Sequence, residues 1–190
     1  MNYSKEDLDR VKSVGPLKTP EDVGKVLDSF GYLDEWKVDY KIRSVRASLH
    51  SDKITCIDAA VLSYGLLKHF FPKVKRRLLT LHRRDMNGEE CGHCVTLYWG
   101  EDGKIGAFSK SSFEGFGHRK PIFQNEELVA QSFAEAYVKM GFTPLYYGVT
   151  TLEEAASDLD WQFSDENITL LSERLIERYE YSFDVAKNGT

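Results

Sequence analysis

Three cysteines and five histidines are spread through the 190-residue chain, and two arrangements among them carry recognisable chemistry. One is the run Cys91-Gly92-His93-Cys94, a C-x-x-C dithiol. The other pairs Cys56 with His93, a thiol and an imidazole able to serve as nucleophile and base. A C-x-x-C dithiol works when its first cysteine lies at a helix N-terminus, where unpaired amides and the helix dipole favour the thiolate. Here the dithiol runs into Val95-Thr96-Leu97-Tyr98-Trp99, β-branched and aromatic residues that favour a strand. In an extended chain Cys91 and His93 face one way and Cys94 the other, so the sulfurs are not held as a C-x-x-C turn holds them. A zinc site from Cys91, Cys94, His93 and His82 has the right ligand types but no second ligand pair at matching spacing. Thiol–disulfide exchange and metal binding are therefore disfavoured, and no metal or organic cofactor is expected.

The thiol that does fall at a helix start is Cys56. Thr55 can cap, Asp58 stands three residues on, and an apolar run follows to about Phe70 before Pro72, which together read as a capping box opening a buried helix. First-turn amides would favour the Cys56 thiolate. Asp58 reads as the cap rather than as a catalytic acid, because a carboxylate so close would oppose that thiolate. Residues 93–99 and 104–110 read as two strands around Glu101-Asp102-Gly103, with His93, Val95, Leu97 and Trp99 on one inward face. A three-residue loop with Gly103 in the left-handed region sets Gly100 opposite Lys104. In that register His93 faces Ser111 and Val95 faces Ser109, placing both serines on the His93 side. A two-residue turn at Asp102-Gly103 would put Lys110 and Ser112 there instead.

The remaining elements are mostly helical. Short helices are expected from Ser4 to Gly15-Pro16 and from Thr19 to Gly31, a longer one from Glu126 to Met140 ended by Gly141, and two more at Thr151 to about Leu159 and about Asp165 to Tyr181. Leu78 to Leu81 is a short apolar run, and residues 32–54 give mixed signals, with Trp36, Val38, Tyr40 and Ile42 alternating like a strand. With 42% hydrophobic and 29% charged residues the chain is globular, of a length that fits one domain. A net charge of −5 argues against a dedicated nucleic-acid binder, and the absence of a long apolar run argues against a membrane span. The charged N-terminus and the odd number of cysteines suit a reducing, cytoplasmic setting. The one basic concentration, Lys73 to Arg77 with Arg83 and Arg84, reads as a solvated face, with an anionic substrate or partner as the alternative. The Gly-rich segment before His118-Arg119-Lys120-Pro121 is a loop suited to the side of a cleft.

Across Cys56-Ile57-Asp58-Ala59-Ala60, Gly92-His93-Cys94-Val95 and Gly106 to Ser112, ending near Arg119-Lys120-Pro121, the chain resembles the transglutaminase-like branch of the papain-like cysteine superfamily. The resemblance covers about residues 44–125 and implies an α+β fold, a single domain over 1–190 in which the helix bearing Cys56 packs on an antiparallel sheet between N- and C-terminal helices. It implies acyl transfer or amide hydrolysis through a thioester, with Cys56 as nucleophile and His93 as base. The pattern calls for an Asp or Asn about sixteen residues after the histidine, and Ser109 stands there. A serine hydroxyl can accept the His93 Nδ1 proton but brings no charge to an imidazolium. Superfamily members often add an oxyanion donor about six residues before the cysteine, where this chain has His50, which otherwise reads as an exposed loop residue. Three functions follow: a cysteine hydrolase or acyltransferase acting on a peptide, protein or small amide; a binding module of the same fold with a degenerate triad; and a CGHC oxidoreductase.

Overall fold

The computed structural model describes residues 3–34, 41–164 and 170–183. In chain order its elements are α1 (Asp9–Ser13), α2 (Asp22–Asp28), β1 (Gly31–Tyr32), α3 (Val45–Leu49), β2 (Lys53–Ile54), α4 (Cys56–Phe70), β3 (Arg76–Arg84), β4 (Glu90–Trp99), β5 (Ile105–Phe108), β6 (Arg119–Phe123), α5 (Glu126–Lys139), β7 (Thr143–Thr150), α6 (Leu152–Ala155), α7 (Leu170–Ile176) and β8 (Tyr181–Ser182). The fold is α+β: α4 packs on a six-stranded sheet of order β6-β5-β4-β3-β7-β8, antiparallel throughout, and β1 pairs with β2 separately.

Local hydrogen bonds start α4 where the sequence places it. The Thr55 hydroxyl accepts from the Asp58 amide at 3.2 Å, and the Asp58 carboxylate accepts from the Thr55 amide at 3.1 Å. Each satisfies an amide that a helix start leaves unpaired. Every residue from Cys56 to Leu67 is buried. One face of the sheet, through Leu78, Cys94, Tyr98 and Phe108, joins the α4 core, and the Thr96 hydroxyl donates to the Ala60 carbonyl at 2.6 Å. The opposite face, through Leu79, Leu81, Val95, Leu97, Ile105 and Ala107, packs against Val129, Ala130, Phe133 and Tyr137 of α5. The period-2 alternation of β4 thus feeds two cores at once.

The β4–β5 turn adopts the three-residue form. Gly103 has φ +78°, the Gly100 amide donates to the Lys104 carbonyl at 2.8 Å, and Trp99 pairs with Ile105 and Thr96 with Phe108. Strand β5 ends at Phe108, earlier than the expected 110. The Ser109 amide there donates to His118 Nδ1 at 3.0 Å instead of to a strand neighbour.

Other expectations need correction. The apolar run at Leu78 is the middle of a nine-residue strand, and β7 carries no clear sequence signal because Pro144 and Gly148 interrupt it. Pro144 sits where the β3–β7 register slips between His82 and Arg83, a bulge that tolerates its missing amide. Helix α3, capped by Ser44 on the Ala47 amide at 3.2 Å, arises inside the segment of mixed signals. The alternation at Trp36, Val38 and Tyr40 lies outside the described residues. The helix expected to reach Leu159 ends at Ala155, and Tyr181 is strand rather than helix. No helix among the described residues is long and apolar enough to cross a membrane.

Helix α4 carries Gly65 where α3 crosses it, and a Cβ there would overlap the Val45 side chain. Helix propensity alone would favour alanine by about 1 kcal/mol. Because a β-branched valine at a packed contact gives way poorly, Gly65→Ala is expected to cost about 1–3 kcal/mol net by urea unfolding. Adding Val45→Ala should recover part of that loss, and a stabilised single variant would refute the crossing contact.

Candidate active site

Cys56 and His93 line one cavity of about 270 Å³, together with Tyr32, Arg83, Cys91 and Tyr137 among others. They arrive from opposite faces of the sheet. Cys56 belongs to the core around α4, whereas His93 lies edge-on to Phe116 at 5.4 Å between ring centroids and near Phe133 of α5 at 6.0 Å. The meeting is possible because β5 covers β4 only as far as Thr96, leaving the segment at His93 without β5 as a neighbour. Cys56 itself is 5% exposed and stands in the first turn of α4, among amides that the helix ladder does not use.

A chain of hydrogen bonds sets the tautomer of His93. The Ser109 hydroxyl spends its one proton on the Phe116 carbonyl at 2.6 Å. It must therefore accept from His93 Nε2, 2.8 Å away, which places the ring proton on Nε2 and leaves Nδ1 as a lone-pair acceptor. The ring thus offers Nε2 to the serine, not the Nδ1 anticipated above. Ser109 is held in turn by His118, whose Nδ1 takes the Ser109 amide proton while Nε2 meets the Gly24 carbonyl at 3.3 Å. Arg119 anchors the loop that supplies Phe116, donating to the Gly115 carbonyl at 2.6 Å and to the Gly117 carbonyl at 2.9 Å. Ser111, the other serine on this side, lines the cavity and accepts from the Phe113 amide at 3.1 Å.

The environment keeps the ring uncharged. Burial lowers the His93 pKa from 6.5 to about 3, with the Arg83 and Arg119 guanidinium charges acting in the same direction.

The other sequence candidates separate cleanly. Asp58 is buried and committed to Thr55 and to the Arg43 amide at 2.9 Å, as a cap should be. His50 is exposed and meets Asp7 at 3.0 Å, away from the cavity lining, so it supplies no oxyanion donor there. All three cysteines are thiols; Cys91 shares the His93 face and lines the cavity, and Cys94 points into the α4 core. His82 meets Glu90 at 2.8 Å, and among the described residues no group of three or more His, Cys, Asp or Glu is placed to hold a metal ion. Most of the basic concentration is occupied at the surface, Arg77 by Glu126 and Arg84 by Glu90, with Lys75 over Trp99. Arg83 is the exception: it is buried. The sequence marks the loop before His118 as suited to the side of a cleft, but the contacts of His118 with Ser109 and Gly24, and the place of Tyr137 in the lining, are not visible in it.

No family model and no curated protein matches the chain. Among solved structures it is similar to Legionella pneumophila LapG, with 14% identity and a TM-score of 0.44 over 90% of this chain and 91% of that one. It is also similar to the EGTA-treated form of the same protein, with 12% identity and a TM-score of 0.40 over 92% and 91%. Both likenesses are at low identity, and neither assigns a role to any residue.

A histidine whose pKa falls on folding stabilises the native state fully above its unfolded pKa and loses that contribution as pH falls from 6.5 toward 3. The unfolded chain then binds a proton that the native chain refuses, at up to about 1.4 kcal/mol per pH unit. Urea unfolding at about pH 7.5 and about pH 5 should show a smaller acid loss in His93→Gln than in the wild type. Equal losses in both would mean that His93 is not held neutral.

Proposed function

We propose that the chain is a cysteine-dependent hydrolase or acyltransferase working at an amide, peptide or thioester carbonyl. Cys56 is the nucleophile, His93 the base and then the acid, and Ser109 a positioning residue. The observation that carries this reading is the cavity common to Cys56 and His93, with the His93 proton committed to Ser109 on the far side of the ring. With Nε2 protonated, Nδ1 is the atom able to take the Cys56 proton. The sulfur then bonds to the carbonyl carbon, and the leaving amine or thiol departs with the proton from Nδ1. Water or another nucleophile attacks the thioester while yielding its proton to Nδ1. The carbon–sulfur bond breaks, and the thiol recovers the proton. The developing oxyanion would lie against the Cys56 amide at the positive end of α4.

One observation favours a second reading, a binding module with the same cavity. Ser109 brings no negative charge to an imidazolium, and Arg83 and Arg119 both oppose one. Titration of the thiol separates the two readings: a pKa near the ordinary value of about 8.5 supports binding alone, and a strongly lowered one supports catalysis.

Under the catalytic reading, iodoacetamide near neutral pH labels Cys56 in preference to Cys91 and Cys94, as peptide mass mapping would register. Hydrolysis across a panel of peptide anilides and thioesters should vanish in Cys56→Ala and fall by roughly 100-fold or more in His93→Gln. Ser109→Ala should lower turnover with little change in KM, since it acts by holding the ring. Indiscriminate labelling, together with activity unchanged in Cys56→Ala, would reject the enzyme.

A further inference from the structure

Arg83 reads in the sequence as one of a cluster of surface cations, yet it is 6% exposed and lines the Cys56 cavity. It projects from β3 opposite Cys91, beside the bulge where β7 slips register. A buried guanidinium ordinarily has a carboxylate partner, because its desolvation is costly. Among the described residues none pairs with Arg83, and its Nη1 has no hydrogen-bond acceptor. Aromatic rings hold the group instead: the guanidinium carbon lies 3.8 Å from the Phe142 ring centroid, 5.3 Å from that of Tyr137 and 5.7 Å from that of Phe113. Rings position a cation and partly compensate it, but they do not neutralise it or accept its in-plane protons.

A second polar atom without a partner belongs to another residue of the same lining. Tyr137 of α5 lines the cavity, and its buried hydroxyl has no hydrogen-bond partner among the described residues. Such an atom is costly when left unpaired, so two among the residues around one cavity mark a place built for a ligand. A water molecule would answer the hydrogen bonds but not the charge. The ligand that answers both is an anion with two acceptor oxygens, which a guanidinium fork and a phenol hydroxyl can share. A cavity of about 270 Å³ suits a side chain or a chain end.

We propose that Arg83, with Tyr137, forms a carboxylate-binding subsite of the Cys56 cavity, so that the substrate carries a carboxylate close to the carbonyl that Cys56 attacks. This rests on the assignment of Cys56 as the nucleophile. The carboxylate comes from an acidic side chain or from a chain terminus, and both share the chemistry that Arg83 recognises.

Two alkylating reagents that differ chiefly in charge test the subsite. Rate constants for iodoacetate and for iodoacetamide are measured at Cys56 by peptide mass mapping, with N-acetylcysteine in the same tube as reference thiol. The expected ratio of iodoacetate to iodoacetamide at Cys56 is about tenfold or more above that of N-acetylcysteine, and it falls to the reference value in Arg83→Met. Arg83→Lys, which keeps the charge without the fork, should retain part of the preference, and circular dichroism verifies that both variants fold. A wild-type ratio equal to the reference overturns the proposal. So does an Arg83→Met variant in which both reagents slow equally, since Arg83 would then act on the thiol rather than on a ligand. The wild type alone supplies a further readout in the protection of Cys56 from iodoacetamide. Protection by N-acetyl-aspartamide, whose carboxylate is on the side chain, or by N-acetylalanine, whose carboxylate is terminal, supports the subsite and identifies the source; protection by neither overturns it. The absolute iodoacetamide rate is a separate measure: a Cys56 no faster than N-acetylcysteine would count against the nucleophile while leaving the charge ratio readable.

Discussion

The buried carboxylate of Asp58 is the contact on which the placement of the cavity rests. It has no exposure to solvent, and its two oxygens accept from the backbone amides of Thr55 and Arg43, with the Arg43 guanidinium 3.6 Å away. A buried charge satisfied in this way is costly to disturb, so the start of α4 is fixed to within a residue. Cys56 stands between Thr55 and Asp58 and inherits that precision. The same contact ties the chain entering α3 to the helix start.

The sheet supplies the second requirement, a gap. Strand β4 is long enough to serve two purposes: its C-terminal half is an ordinary central strand between β3 and β5, and its N-terminal half carries His93 past the end of β5. The chain leaves β5 because Ser109 finds other partners, its amide going to His118 and its hydroxyl to Phe116. One residue thereby ends the strand, opens the gap and orients the imidazole. These are three consequences of a single set of hydrogen bonds, which connects the local register of a hairpin to the geometry of the site.

Electrostatically the cavity departs from a carboxylate-assisted triad. Burial first, and then the Arg83 and Arg119 guanidinium charges, hold the His93 ring neutral, and the Ser109 hydroxyl beside it brings no charge of its own. A thiol nucleophile tolerates the missing carboxylate better than an alcohol would, because its own anion is accessible near neutral pH. Positive charge also favours an anion in the cavity, which under the catalytic reading would be the thiolate, the oxyanion of a tetrahedral intermediate or a group on the substrate.

Sequence alone was sufficient wherever the determining contacts span a few residues. Thr55 and Asp58 announce the helix start, Gly103 announces the turn and its register, and the alternation of Cys91, His93 and Cys94 across a strand rules out a dithiol held by a C-x-x-C turn. From these the candidate pair of Cys56 and His93 was legible, whereas the α+β class was expected from the resemblance rather than from these local patterns. The tertiary structure decided what depends on distant neighbours: which ring nitrogen of His93 faces Ser109, that His118 and Phe116 hold that serine, and that His50 is occupied by Asp7. It also decided that Arg83 is buried while its cationic neighbours in sequence are solvated or paired. The reason is physical. Caps and tight turns are hydrogen-bonded within about four residues and so are written locally, whereas burial and the ionisation it controls are set by segments that meet only when the chain folds.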